Sequence, residues 1–469
     1  MKIYLMGIGG TGMASLAGML VASGHEVRGS DKGVYPPMSL LLQEFGVPVA
    51  SPYDAKNLSP TPDLVVIGNV ISRDHPEAQA VLAQNIPYDS MAEIIRRFFL
   101  GGKSSLVVAG THGKTTTTAL LAWVLQSAGR DPGFFIGGRP KNFPQNFQLG
   151  RGEFFVLEGD EYDTAFFDKG PKFLHYEPRH VLLTSIEFDH ADIYQNLDQI
   201  LISFKKLLDL IPAGGSLVAN LDFPEVEGLV KEFPGKCITY TMNPEKKSHA
   251  DYFAEVFQVA PKAGFRISTS KGEIVEMFWD MMGAHNVSNA LGVVALARDI
   301  GLSWEEIRRG LEGFKGVARR QELLGIPGGI TVMDDFAHHP TAVRETLAAL
   351  RQRYPAQRLW ALFEPRSNTT KRDVFQKDYA MAFDDADLVL IDDVFQPEKV
   401  KDGKVMDIEK LAADITARGR ARARHLSGTD RILQTLRSEL QAGDVVLLMS
   451  NGDFGGLGPK LLKVLAEKE

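Results

Sequence analysis

Gly110-Thr111-His112-Gly113-Lys114-Thr115, preceded by the apolar run Leu106-Val107-Val108-Ala109, is the stretch on which the fold turns. An apolar run, two glycines, a Lys-Thr pair and a helix-forming segment over 116–126 read as strand, tight turn and helix. Backbone N–H groups of such a turn, with the helix N-terminus behind them, cradle phosphate oxygens. Lys114 adds positive charge and the Thr115 hydroxyl suits Mg²⁺. The G-x-x-G-K-T spacing is two residues shorter than the common G-x-x-x-x-G-K-[ST]. The expectation of nucleotide phosphate binding over 110–116, Thr116 included, therefore rests on the flanking strand and helix as well as on the string. The alternative is a strand-to-helix turn carrying a solvated lysine.

Working outward, short apolar strands alternate with amphipathic segments in three blocks. Residues 1–101 give strands over 2–6, 26–28 and 64–67, with helices from about Thr11, over 38–45 and over 76–84. A Gly- and Ser-rich break at 100–105 opens the second block, 102–316. It carries strands over 106–109, 154–157 and 181–184 and helices over 197–210, 287–298 and 304–310. The third block, 317–469, repeats the alternation with strands over 330–333, 359–363, 388–391 and 445–449. This pattern predicts an α/β protein of three domains, each a mostly parallel sheet covered by helices, with a phosphate-loop ATPase-like domain in the centre. A chain of 469 residues exceeds what one core supports, and the blocks share no repeat period.

The bulk composition narrows the function classes. A net charge of −7 argues against nucleic acid as a main partner, and 44% apolar with 24% charged residues is ordinary for a soluble protein. The single Cys237 excludes an intrachain disulfide and fits a reducing compartment. The first strand runs straight into a glycine turn, leaving no room for a signal-peptide core, and no apolar run is long enough for a bilayer. A soluble, cytoplasmic protein with no membrane or nucleic-acid partner is expected.

Five further motifs stand out, four at strand ends and one at a helix start. Gly7-Ile8-Gly9-Gly10-Thr11-Gly12 follows the first strand and Asp31 ends the second, which is the dinucleotide fingerprint. The same geometry holds any pyrophosphate-linked ligand, a UDP-sugar included, and a purely structural turn is the alternative. Glu158-Gly159-Asp160-Glu161-Tyr162-Asp163 and Glu187-Phe188-Asp189-His190 end consecutive strands downstream of the phosphate loop, where acids and a histidine reach a metal bound to phosphates. His285-Asn286-Val287-Ser288-Asn289 opens a helix, with amide groups suited to an adenine edge or to a helix cap. Asp334-Asp335-Phe336-Ala337-His338-His339-Pro340 again places polar groups after a strand, with a capped turn as the plain alternative.

Together these motifs resemble the Mur ligase superfamily, which builds the peptide of bacterial cell-wall precursors. The likeness covers nearly the whole chain: G-I-G-G-T-G-M at 7–13, G-T-H-G-K-T-T-T at 110–117, E-G-D-E at 158–161, D-H at 189–190, H-N-V-S-N-A at 285–290, R-R-Q-E at 319–322 and D-D-F-A-H-H-P at 334–340. The G-I-G-G start and H-H-P motif point to the branch that binds UDP-N-acetylmuramate. That branch adds either L-alanine or the recycled tripeptide L-alanyl-γ-D-glutamyl-meso-diaminopimelate. The segments at 158–169, 363–369 and 449–456 look like the tripeptide-adding pattern.

The resemblance implies an ATP- and Mg²⁺-dependent amide ligase working through an acyl phosphate. The UDP-sugar would lie on the first block at Gly9, Gly10, Met13 and Asp31, and Lys114, Glu158 and His190 would be catalytic. It assigns Thr115 and Glu158 to one metal and His190 to a second, Arg320 and Asp335 to ATP, and Asn289 to adenine. The incoming peptide amine would meet Arg366, Asn368 and Asn451 on the third block. Several relatives carbamylate a lysine after the D-H motif, a role open here between Lys205 and Lys206. Two readings from other classes compete: a nicotinamide-dependent oxidoreductase, which leaves the 110–115 loop unexplained, and an ATP-driven switch that performs no ligation.

Overall fold

The structure, a computed structural model, describes residues 1–35, 37–260, 262–400 and 403–467. Among them no helix is long and apolar enough to cross a membrane. The apolar runs form the centres of three sheets. In the first, five parallel strands lie in the order Val49–Ala50, Glu26–Ser30, Lys2–Met6, Leu64–Ile67, Tyr88–Ser90. The order reverses beside Lys2–Met6, so the glycine turn after that strand sits at a switch point, where α/β sheets open a ligand crevice.

The second sheet has ten strands. Its parallel centre runs Lys236–Thr241, Ser216–Asn220, His180–Leu183, Ser104–Ala109, Phe154–Gly159, Gly133–Phe135. The strand leading into the phosphate loop therefore lies between the two strands that end in acid clusters, and all three C-terminal ends open on one crevice. An antiparallel meander, Tyr252–Gln258, Ala263–Thr269 and Ile274–Trp279, extends one side and Phe147–Gln148 the other. The third sheet is ordered Glu322–Gly325, Thr331–Asp335, Val445–Met449, Leu359–Phe363, Leu388–Ile391, Arg422–His425, parallel except for its first strand.

Helices cover both faces of each sheet, giving apolar cores on either side. One core runs without a break from the first unit into the second, joining Leu5, Leu16 and Met91 to Phe135, Phe155 and Leu157. At this junction a side chain on Gly18 would meet Phe147 at 2.6 Å and Phe45 at 2.4 Å, so only glycine fits. Buried Ser15 donates to Asn146 Oδ1 at 2.8 Å across the same seam.

Several element bounds differ from the sequence reading. The helix after the phosphate loop begins at Lys114, because Gly113 takes a left-handed φ of 79° and serves as its N-cap. The helix expected over 287–298 spans Ala284–Asp299, with Gly283 at φ 89° before it. The strand expected over 330–333 is Thr331–Asp335, which carries Asp335 into the sheet edge.

Candidate active site

The phosphate loop is fastened to the segment that follows His180–Leu183. Thr111 N donates to Ser185 O at 2.9 Å, His112 N to Ser185 Oγ at 2.9 Å, and Thr184 Oγ1 to the His112 carbonyl at 2.6 Å. Gly110, at φ 135°, permits this approach: an added Cβ would lie 2.2 Å from Thr184 Oγ1 and 2.8 Å from Ser185 O. The Lys114 ammonium donates to Gly110 O at 2.6 Å and to both Glu161 oxygens, at 2.8 and 3.0 Å. Burial opposes its charge, but the carboxylates of Glu161, Asp160 and Glu158 outweigh burial and hold it above the ordinary lysine range. Thr116 is buried in the first turn of the helix.

Glu158 ends its strand facing the loop. Its Oε1 accepts from Thr115 Oγ1 at 2.7 Å and its Oε2 from Gly137 N at 2.7 Å. Burial and the neighbouring Asp160 push its carboxyl above the usual range. Crowded negative charge of this kind is relieved by a cation, and the oxygen pair of Thr115 and Glu158 suits a hard one such as Mg²⁺. His190, at φ 53°, places Nε2 3.4 Å from Glu161 Oε1. Burial lowers its pKa, but Glu161 and Asp189 more than reverse this and raise it to about 9. Asp189 is held below the usual carboxylate range despite its burial, by His190, His338 and His339. Lys114, Thr115, Glu158 and His190 thus form one connected cluster through Glu161 and the loop.

Two members of this cluster carried no signal of their own in the sequence. Glu161 is one acid among several in the 158–163 motif, yet it joins Lys114 to His190. Lys172, buried, places Nζ 3.1 Å from Asp160 Oδ2 and 4.0 Å from the Tyr162 ring centre. The return strand of the hairpin Asp163–Ala165/Asp168–Pro171 leads into Lys172, and the sequence pattern did not predict that hairpin. The two lysines considered for carbamylation lie elsewhere on the exposed side of the helix Leu197–Asp209. Lys205 bonds Glu232 at 2.6 Å, while Lys206 lines a cleft of about 490 Å³ with Asp163, Lys169, Asp192 and Tyr194.

The third unit reaches into the site from across the crevice. Arg320 points Nη2 at Thr115 Oγ1, 3.4 Å away, and stacks 4.7 Å from the Phe336 ring centre. Asp335 accepts from Gln321 N at 2.7 Å and Ala337 N at 2.6 Å, and burial raises its pKa. Asn289 lies against the loop itself, since a Cβ on Gly113 would fall 2.5 Å from its Oδ1. Asn286 donates to Met282 O at 2.7 Å from inside its helix, so it is not a cap.

Further along the third unit, Thr369 donates to Asp189 at 2.8 Å, Asn368 to Asp192 at 2.9 Å and Arg372 to the Ala191 carbonyl at 2.9 Å. Arg366 lies 3.9 Å from the Phe395 ring centre, with Nη1 3.1 Å from Asp453 and 3.4 Å from Glu364. The buried Oδ1 of Asn451, after the strand Val445–Met449, has no hydrogen-bond partner within the protein. In the first unit, Asp31 accepts from Gly9 N at 2.8 Å and Gly33 N at 3.2 Å, bracing the glycine turn. Gly10 is exposed at that turn and Met13 is buried beneath it.

Residues 2–101 match the description Mur ligase family, catalytic domain; 108–297 the Mur ligase middle domain; and 319–452 the Mur ligase, glutamate ligase domain. The chain is 40% identical over 470 residues, 100% of its length and 99% of the relative's, to the UDP-N-acetylmuramate–L-alanyl-γ-D-glutamyl-meso-2,6-diaminoheptandioate ligase of Escherichia coli K12. It is 32% identical over 471 residues, 100% of its length and 98% of the relative's, to the UDP-N-acetylmuramate–L-alanine ligase of Geobacter sp. M21. A crystal structure of a murein peptide ligase from Psychrobacter arcticus 273-4 superposes with a TM-score of 0.75 at 35% identity, covering 99% of each chain.

Proposed function

Because the chain belongs to the Mur ligase family and is thereby an ATP-dependent amide ligase, we propose that it joins the free amine of L-alanyl-γ-D-glutamyl-meso-diaminopimelate to the lactyl carboxylate of UDP-N-acetylmuramate. The observation that carries this choice is the whole-length likeness, 40% to the tripeptide-adding relative against 32% to the alanine-adding one. The Arg366 guanidinium, held over the Phe395 ring, supports it, because its planar fork suits a carboxylate of the tripeptide.

In this reading residues 1–101 hold the UDP-sugar at Gly9, Gly10, Met13 and Asp31, residues 102–316 hold ATP, and residues 317–469 hold the peptide. The loop amides and the Lys114 charge position the γ-phosphoryl group for attack by the lactyl carboxylate. Thr115 and Glu158 would hold Mg²⁺ and His190 would serve a second ion, and the metal would supply charge neutralisation at the phosphates. Arg320 and Asp335 close on the nucleotide from the third unit and Asn289 contributes from the loop side. Attack by the lactyl carboxylate forms the acyl phosphate and releases ADP; the peptide amine then attacks the acyl carbon, loses a proton, and phosphate departs, leaving the amide. Use of ATP and a nucleotide-activated sugar supports a cytoplasmic location for this reaction.

Mass spectrometry after incubation with ATP, UDP-N-acetylmuramate and either tripeptide or L-alanine tests the reading. The tripeptide conjugate is the expected product, formed with release of phosphate. A product formed only with L-alanine would assign the chain to the alanine-adding branch.

A further inference from the structure

A second cluster lies where the third unit meets the phosphate loop, and the ligation chemistry above does not use it. His112 Nε2 is 2.6 Å from Glu187 Oε2, and the His112 and His339 rings are 4.6 Å apart. One metal-ligating atom from each of His112, Glu187 and His339 lies within 4.8 Å of the other two. The three side chains come from separate elements: the phosphate loop, the segment after His180–Leu183, and the N-cap of the helix Pro340–Arg353.

The partners behind these groups are arranged as a metal site requires. Thr341 Oγ1 bonds the other Glu187 oxygen at 3.2 Å, leaving Oε2 turned toward His112. His339 Nε2 lies 3.2 Å from the Phe188 carbonyl, and a carbonyl only accepts, so Nε2 carries the proton and the lone pair is on Nδ1. The closest donor to that nitrogen is the Thr341 N–H at a long 3.3 Å. An imidazole whose far N–H is held by a backbone carbonyl is the usual setting of a metal-bound histidine.

We propose that His112, Glu187 and His339 form a binding site for a zinc-class divalent cation, separate from the magnesium-binding groups, which fastens the third unit to the phosphate loop. Two imidazoles and one carboxylate favour borderline-soft ions such as Zn²⁺ and Co²⁺ over Mg²⁺, which prefers oxygen donors. The cation enters between His112 Nε2 and Glu187 Oε2, which separate from 2.6 Å to roughly 3.3 Å as two tetrahedral ligands of one zinc ion would.

Titration of chelator-stripped, tag-free protein with Co²⁺ in excess Mg²⁺ tests the site through the visible absorption of low-coordinate cobalt. One equivalent should bind, Zn²⁺ should displace it and Mg²⁺ should not. His339→Ala and the isosteric Glu187→Gln should each weaken binding by about tenfold or more. Zn²⁺ should also raise the unfolding midpoint of the unmodified chain, and at the same concentration raise that of either variant by less. Equal Co²⁺ affinity in all three proteins overturns the site, as does a signal that survives both substitutions and disappears in Glu158→Gln. If His339→Ala fails to fold by circular dichroism, Glu187→Gln alone decides. Binding without any rise in the midpoint would overturn the fastening.

Discussion

Lys114 and Glu161 share a buried ion pair, their side chains 12% and 3% exposed, and this pair sets what a substitution at the phosphate loop does. From the sequence, Lys114 is a loop lysine whose loss should spare the fold. The structure corrects that, because removing Lys114 breaks a buried pair and leaves Glu161 with only His190, 3.4 Å away, as a charge partner, a loss of up to about 3–5 kcal/mol. Lys114→Ala should therefore abolish ligation and also lower the urea midpoint. Lys114→Met combined with Glu161→Gln should regain much of the midpoint and none of the activity. Normal turnover in any folded Lys114 variant would remove the phosphate-loop assignment. His190 gives a pH signature in the metal-free protein. Its pKa rises from the ordinary 6.5 to about 9, so its contribution is complete below 6.5 and fades as pH climbs through 9. Asp189 works in the opposite sense, contributing above the ordinary aspartate value and losing that contribution in acid. Urea midpoints measured against pH should thus fall on the alkaline side, and His190→Ala should flatten that fall. An unchanged alkaline slope would contradict the His190–Glu161 pairing. Lys114, Thr115, Glu158 and His190 were legible because each stands in a short local motif. Lys172 was not, because its contact with Asp160 depends on a hairpin fold that no local pattern encodes.

At the scale of elements, the turn after Ser104–Ala109 is held by two glycines that fail differently when replaced. A Cβ on Gly110 would press on Thr184 Oγ1 and also on Ser185 backbone atoms at 2.8 and 2.9 Å, and backbone cannot swing aside. A Cβ on Gly113 would meet only the end of the Asn289 side chain, at 2.5 Å, in addition to the left-handed φ penalty of roughly 1–2 kcal/mol. Binding of a fluorescent ATP analogue should accordingly be lost in Gly110→Ala, and adding Thr184→Ala should not restore it. Gly113→Ala should bind weakly and be partly restored by Asn289→Ala. Rescue of Gly110→Ala by the threonine change would show that the loop lies farther from Ser185. Strand, turn and helix were readable here from composition, whereas the start at Lys114 depended on Gly113 adopting the cap conformation. The meander over 252–279 went unread although Ile274–Trp279 alternates exposed with buried positions toward its end. Its polar and apolar residues mix too evenly for short strands to stand out.

Across the whole molecule, the first and second units share one continuous core, but the third meets the second largely through hydrogen bonds, those of Arg320, Thr369, Asn368 and Arg372, with Phe188 6.2 Å from Phe375. Interfaces of this polar kind permit relative movement, which suits the proposed reading in which this unit delivers an amine to a carboxylate activated elsewhere. Three alternating blocks were visible in the sequence, but which faces meet was not, because contacts such as Asn368 with Asp192 join residues 176 positions apart. In the proposed reading, choice of amine is a property of this assembled crevice. A tripeptide brings carboxylates and a distal amino-acid centre that alanine lacks, and Arg366, braced on Phe395 and Asp453, offers a planar fork for one carboxylate. A charge-assisted hydrogen bond of about 1.5–3 kcal/mol corresponds to roughly 10–100-fold in affinity. Arg366→Ala should raise the KM for tripeptide by that order while those for ATP and UDP-N-acetylmuramate change little. Arg366→Lys should not recover it, since an ammonium lacks the fork. Gly452→Ala provides an independent check: its Cβ would lie within 2.3–2.5 Å of Arg366 Nε, Cζ and Cδ, so it should displace the guanidinium and reproduce the same selective rise. Equal rises for all three substrates, or efficient use of L-alanine by the unmodified enzyme, would return the amine site to the alanine-adding alternative.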